Sequence, residues 1–160
     1  MVILGISIGT RTSGIAIINN KGLIEWRTLS FKNSWSEQKA DYIVRSYERY
    51  VKHHKVTVVA LKIPPLAHQT AAIMVILEKL VAMFTYHGCM MEYTTKKQLK
   101  AALPEVRNTR QLITHTATLY PMITPKVTKE LANRNKYHHK MAEAVIVAHL
   151  SRYRESVPPE

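Results

Sequence analysis

Met1–Ile18 reads MVILGISIGTRTSGIAII, and this stretch decides the architecture. Val2–Ile8 is an apolar run of the kind that makes a buried strand. Gly9-Thr10-Arg11-Thr12-Ser13-Gly14 is a turn, and Ile15–Ile18 is apolar again. Asn19-Asn20-Lys21-Gly22 forms a second tight turn leading into Leu23–Phe31, so the chain opens as a three-strand antiparallel meander.

Working outward, Ser34 or Ser36 can cap a helix with Glu37 as negative charge in its first turn. Ala40, Ile43, Val44, Tyr47 and Val51 follow at helical spacing. Val56–Ile63 is a dense β-branched run, expected to be a central strand, and Pro64-Pro65 stops it. Gln69 to His87 reads as a helix that is apolar nearly all round, more than one buried face requires. A strand is expected at Cys89–Tyr93, then a short basic helix from Thr95 and a helix over Thr109–Tyr120. An irregular Pro121–Pro125 stretch and a last helix from about Tyr137 to Tyr153 complete the chain. The order β-β-β-α-β-α-β followed by helices predicts an α/β fold with a mixed five-stranded sheet and helices on both faces. A meander followed by alternating helix and strand is the ribonuclease H-like plan.

The 160 residues suit one domain, expected over residues 1–155, with residues 156–160 as a frayed tail. Hydrophobic residues are 46% of the chain and charged residues 21%, a globular composition that excludes disorder as the main state. Cys89 is the one cysteine, which excludes a disulfide framework or a CxxC zinc site and fits a reducing compartment. No apolar run reaches the roughly 18 residues of a membrane span, and the N-terminus lacks the basic flank of a signal peptide. A cytoplasmic location is the expectation.

Charge is more informative. Lys and Arg number 23 against 11 Asp and Glu, a formal charge of +12, and such a field attracts polyanions, of which nucleic acid is the commonest. Between Tyr93 and Met141 lie Lys96, Lys97, Lys100, Arg107, Arg110, Lys126, Lys129, Arg134, Lys136 and Lys140, opposed only by Glu105 and Glu130. Lys96, Lys97 and Lys100, with Arg107, Arg110, Lys136 and Lys140, are therefore the candidate phosphate contacts. The competing reading is a solvated helix in a generally basic protein. Tyr93, Tyr120 and Tyr137 are interspersed too irregularly to indicate stacking on bases. The acids are ten Glu and a single Asp, Asp41.

Met1–Ile18 resembles the opening of RuvC-type Holliday-junction resolvases, whose first strand reads roughly ILGIDPGSxxxGxxxI. Val58–Ile63, VVALKI, resembles the family's fourth strand, where a catalytic Glu follows an apolar run. Thr94–Leu103 and Asn108–Leu119 resemble the basic connector and the helix that approach DNA, and His138–Leu150, HHKMAEAVIVAHL, resembles the final helix, DxADAxAxA. The likeness spans nearly the whole chain in short motifs. It implies a ribonuclease H-like domain, DNA as partner, and phosphodiester cleavage by two divalent metals held on four carboxylates, or on three and a histidine.

The departures from that pattern bear on function. The first-strand Asp of the family falls at Ser7, the fourth-strand Glu at Lys62, and the two last-helix acids at Lys140 and Glu143. One carboxylate of four remains. Moving the last register by one brings in His139, which could ligate, but Ser7 and Lys62 stay wrong for hard cations that take oxygen ligands. Lys62 would repel Mg²⁺ and is expected to form an ion pair with Glu143; the blander alternative is a lysine that snorkels to the sheet edge.

Other signals have ordinary meanings beside the sharper ones. Gly5, Gly9 and Gly14 with Thr10 and Thr12 resemble the phosphate hairpin of actin-like and sugar kinases, but those proteins close a second domain on ATP, and a plain hairpin turn is the simpler reading. The doublets His53-His54 and His138-His139 have no metal-binding partner at i, i+4 beyond the helical pair His139 and Glu143. Cys89 is expected to be a buried, inert thiol. The apolar helix over residues 69–87 is either sandwiched between the sheet and the C-terminal helices or a homodimer interface using Met74, Met83 and Phe84.

Three functions remain. The leading expectation is a RuvC-like domain without metal chemistry that binds DNA, branched or not, through phosphate contacts and needs no cofactor. The second is a Mg²⁺- or Mn²⁺-dependent resolvase with a remodelled site of Glu143, His139 and Ser7. The third is a protein-interaction module in which the apolar helix matters and charge serves solubility.

Overall fold

The computed structural model describes residues 1–65, 68–133 and 138–156. Five strands form one sheet: β1 (Ile3–Ser7), β2 (Thr12–Asn19), β3 (Gly22–Ser30), β4 (Val58–Ile63) and β5 (Met90–Thr95). Their order is β3-β2-β1-β4-β5, with β2 antiparallel to both neighbours and β4 parallel to β1 and β5. The expected meander and mixed sheet are both present. The tight β2–β3 turn returns through Gly22 at φ +115°, a conformation that favours glycine.

Among the described residues six α-helices cover the faces: α1 (Glu37–His54), α2 (Ala71–Tyr86), α3 (Lys96–Ala102), α4 (Thr109–Leu119), α5 (Thr124–Asn133) and α6 (His139–Ser156). Alternation along the strands divides the core. Leu4, Ile6, Ile15, Ile17, Val59 and Leu61 pack under α1 and α2 with Tyr47, Ile76 and Phe84. Ile3, Ala16, Ile18, Val58 and Ala60 pack on the other face under α6, joined by Leu112 and Ile113 of α4 and Val127 of α5. None of the described helices is long and apolar enough to cross a membrane.

Two expectations are corrected. α2 lies beside α1, on the face opposite the C-terminal helices, so it is not sandwiched against them. Its Phe84 is fully buried and Met83 nearly so within this chain's own core, which removes both from any subunit contact; Met74, half exposed, stands outside it. The Pro121–Pro125 stretch is helical rather than irregular: a 3₁₀ turn at Pro121–Ile123 runs into α5. Each proline sits in a first turn, where the missing N–H has no intrahelical acceptor to lose, so these prolines start helices instead of breaking them. Element ends shift by one to three residues elsewhere. Ser36 is the α1 cap, accepting from the Lys39 N–H, and Thr95 starts α3 in a reciprocal capping box with Gln98. The frayed tail expected over residues 156–160 lies, beyond Ser156, outside the described residues.

α6 rests directly on the sheet. A Cβ on Gly14 would stand 1.9 Å from the Lys140 carbonyl oxygen, and one on Gly5 would stand 2.1 Å from that of Ala144. The glycines of the opening stretch are therefore contact points for a helix backbone. That close approach brings Lys140 and Glu143 down to the ends of β1 and β4.

Candidate functional site

The parallel pairing of β1 and β4 sets Ser7 beside Lys62 at the C-terminal ends of the two strands. Both belong to the sheet face that α6 covers, by alternation with Gly5 and Ala60. From α6, Glu143 reaches Lys62, and the Lys62 Nζ forms an ion pair with the Glu143 Oε2. The expected pair is thus present, and Lys62 does not snorkel to the edge. One turn earlier on α6, His139 Nε2 is 4.0 Å from the other oxygen of Glu143. Lys140 Nζ donates to the Ile8 carbonyl at 2.9 Å. Burial lowers the Lys140 pKa; the Glu143 carboxylate opposes that shift, and the Lys62 ammonium adds to it. Beneath Ser7, the Ser13 hydroxyl donates to the Ser7 carbonyl at 3.0 Å and is hydrogen-bonded to Tyr47. Burial pushes the Tyr47 phenol far above its usual range, so it stays protonated.

This donor set does not fit two divalent cations. The one carboxylate, Glu143, is already taken up by Lys62, and a second ammonium, Lys140, stands at the same locus. An ammonium within about 4 Å of a divalent ion opposes it by several kcal/mol, even at an effective dielectric near 20. Among the described residues, no three His, Cys, Asp or Glu side chains gather where they would hold a metal ion. Asp41 lies on α1, 3.0 Å from Lys79.

The same residues form the floor of an open groove of about 810 Å³. Among the described residues Arg11, Lys62, Lys96, Lys100, Arg107 and Lys140 line it, against the single acid Glu143. Thr10 of the β1–β2 turn and Thr12 at the start of β2 also line it, and Leu99, Leu103 and Val106 give it an apolar part. Two helices begin at its rim. Thr70 caps α2, and Asn108 caps α4 through its side-chain oxygen, which accepts from the Gln111 N–H at 2.8 Å. Helix N-termini carry partial positive charge, so they add to the cationic field. A polyanion laid along this groove would meet cations from the β1–β2 turn, β4, α3, the α3–α4 connector and α6.

The candidate phosphate contacts are not all gathered there. Lys96, Lys100, Arg107 and Lys140 line the groove; Lys97 does not. Arg110 turns away from it, donating from Nη1 to the Leu131 carbonyl at 2.6 Å, where it ties α4 to α5. Lys136 lies outside the described residues. Arg11 was not among the candidates. Its sequence signal is a lone cation in the turn that immediately follows the Ser7 strand. Cys89 is buried, its thiol directed to the Val56 carbonyl at 3.3 Å and its pKa raised by burial, as an inert thiol requires.

No family model matches the sequence, and no curated protein matches it either. Solved structures match over the whole chain. Thermus thermophilus RuvC in complex with Holliday junction substrate superposes with a TM-score of 0.72 at 14% identity, covering 98% of this chain and 96% of that one. A second T. thermophilus RuvC structure gives a TM-score of 0.70 at 15% identity, covering 97% and 96%. The fold is RuvC-like.

Proposed function

We propose that this RuvC-like domain binds DNA, duplex or branched, by gripping its phosphates in the basic groove, and that it does so without cutting the strand. One observation carries the reading: at the strand ends where resolvases of the resembled family hold metal, a lysine neutralises the one remaining carboxylate, inside a groove lined by six cations. Net charge of +12 supplies long-range attraction, and the groove supplies the place where it is used. The structural likeness to a RuvC bound to a Holliday junction supports a branched substrate. No cofactor enters this reading.

Fluorescence-anisotropy titration of a four-way junction and a blunt duplex, from 50 to 200 mM salt, is the test. With Lys62 paired to Glu143, contact with about five phosphates predicts an affinity falling by about five hundredfold over that interval. Affinity indifferent to salt would remove the groove from the reading. A parallel incubation with Mg²⁺ or Mn²⁺ decides against the nuclease alternative if the junction stays intact. Metal-dependent nicking that Glu143→Gln abolishes would establish that alternative instead, with His139 and Ser7 beside Glu143.

A homodimer built on α2 would use its outer face, where Met74 and Tyr86 are exposed. Sedimentation of the protein and of Met74→Lys checks it: a dimer that this change dissociates supports the pairing, and a monomer at micromolar concentration overturns it.

A further inference from the structure

Beyond the β1–β2 turn lies a second pocket of about 580 Å³, which shares Thr10, Arg11 and Thr12 with the groove. Its other walls come from the end of β3, the connector before α1 and the first turn of α2. Among the described residues three cations line it, Arg11, Lys32 and Lys39, and no acid does. Lys39 is only 7% exposed and forms no ion pair among the described residues; its ammonium donates to the Asn33 carbonyl. The nearest acids of α1 are engaged elsewhere, Glu37 and Asp41 both pairing with Lys79 at 3.5 and 3.0 Å. Burying a lysine without a counter-ion is costly, so a nearly buried lysine in a pocket with no acid among its described lining residues leaves an anion's place open.

The pocket also holds an aromatic plane. Trp35 lines it and is 41% exposed, an unusual position for the largest side chain in the chain's repertoire. It is carried on a fixed segment. The Phe31 N–H donates to the Arg11 carbonyl at 2.7 Å at one end, and Ser36 caps α1 at the other, with Lys39 holding Asn33 between. Ordering such a loop has been completed before any ligand arrives, which lowers the cost of binding.

We infer that this pocket takes an unpaired nucleotide of a DNA strand leaving the groove, its base stacked on Trp35 and its phosphate held by Arg11, Lys32 and Lys39. The inference rests on the proposed DNA-binding reading and makes it more specific. Arg11, common to both cavities, is the hand-over point from paired to unpaired strand. Bases in a blunt duplex are already stacked on one another and offer no face to an indole, so the pocket selects DNA with a single-stranded segment beside a duplex. Stacking on an aromatic plane is indifferent to base identity, so no sequence preference is expected.

The test uses Trp26→Phe, which leaves Trp35 as the only indole, together with Trp35→Ala and Trp35→Phe in the otherwise native chain. Tryptophan fluorescence and binding are followed on titration with a forked duplex carrying oligo-dT arms and with a blunt duplex of equal paired length. The fork should quench Trp35 emission and the blunt duplex should not. Trp35→Ala should weaken fork binding by about tenfold, within the range of a lost base stack. Blunt-duplex affinity and the thermal melt should stay within twofold and about 2 °C, and Trp35→Phe should restore most of the fork affinity. Equal effects of Trp35→Ala on fork and duplex, or no effect on either, would overturn the pocket while leaving the groove intact. Failure of the unmodified protein to bind any DNA would overturn both.

Discussion

Lys62 is 17% exposed and Glu143 8%, so their ion pair is well removed from solvent screening. Glu143→Gln leaves Lys62 and Lys140 at one locus with no carboxylate between them. Breaking one half of a buried pair costs roughly 3–5 kcal/mol, so urea unfolding of Glu143→Gln should show a loss near the lower end of that range. A loss under about 0.5 kcal/mol would mean that water already screens the pair. Lys62→Met combined with Glu143→Leu should recover most of the deficit, because apolar groups of similar volume impose no desolvation cost. The pair was legible in the sequence, since the resemblance places positions 62 and 143 at one locus and the two side chains are of opposite charge. Arg11 was not legible as a groove residue: where a turn residue points depends on how the hairpin meets the helices around it. Nor was Arg110, whose carbonyl partner Leu131 belongs to a helix that prolines at 121 and 125 concealed.

At the scale of elements, α6 is held by how close it can come to β1 and β2. Gly14→Ala would force the helix backbone away from a contact already at 1.9 Å from the added carbon, and the neighbour is a carbonyl with no rotamer to change. Overpacking of this kind typically costs 1–3 kcal/mol, so a loss of unfolding free energy near the upper end, about 3 kcal/mol, is expected. Because α6 also carries Lys140 and Glu143, the same change should weaken DNA binding more than its position outside the groove would suggest; Gly22→Ala, strained at φ +115° but with nothing within 4 Å of the added carbon, should cost stability without that extra loss of binding. Strand order and most element limits could be read from apolar runs and turn residues. The place of α2 could not, because a helix apolar nearly all round gives no periodicity from which to assign one neighbour. Its extra apolar surface is divided between the sheet, α1 and exposed positions such as Met74.

At the scale of the molecule, acid should destabilise the fold through its half-buried histidines. Burial lowers the pKa of His138, with Lys126 adding to it, and lowers that of His149, with His115 and Arg152 adding to it. As pH falls below the unfolded value near 6.5, the unfolded chain takes up protons that these rings resist, so stability declines. Glu130 acts in the opposite sense. Burial raises its pKa, so the folded chain binds a proton before the unfolded one does, and stability is gained as pH falls through its folded value toward 4.5. Thermal melts should therefore be flatter in His149→Gln as pH falls below 6.5, and steeper in Glu130→Gln as pH falls toward 4.5; the reverse order would contradict the burial argument. Lys62 has a consequence for the folding of the sheet itself. Along β4, Val58, Ala60 and Lys62 face α6, while Val59 and Leu61 face the layer containing Tyr47, Ile76 and Phe84. β4 is apolar through Leu61, so hydropathy alone would tolerate sliding it one place against β1. Such a slip would drive an ammonium into that oily layer, far from Glu143. The cation thus works as a locating pin, rejecting misaligned parallel pairings that the aliphatic residues before it would accept.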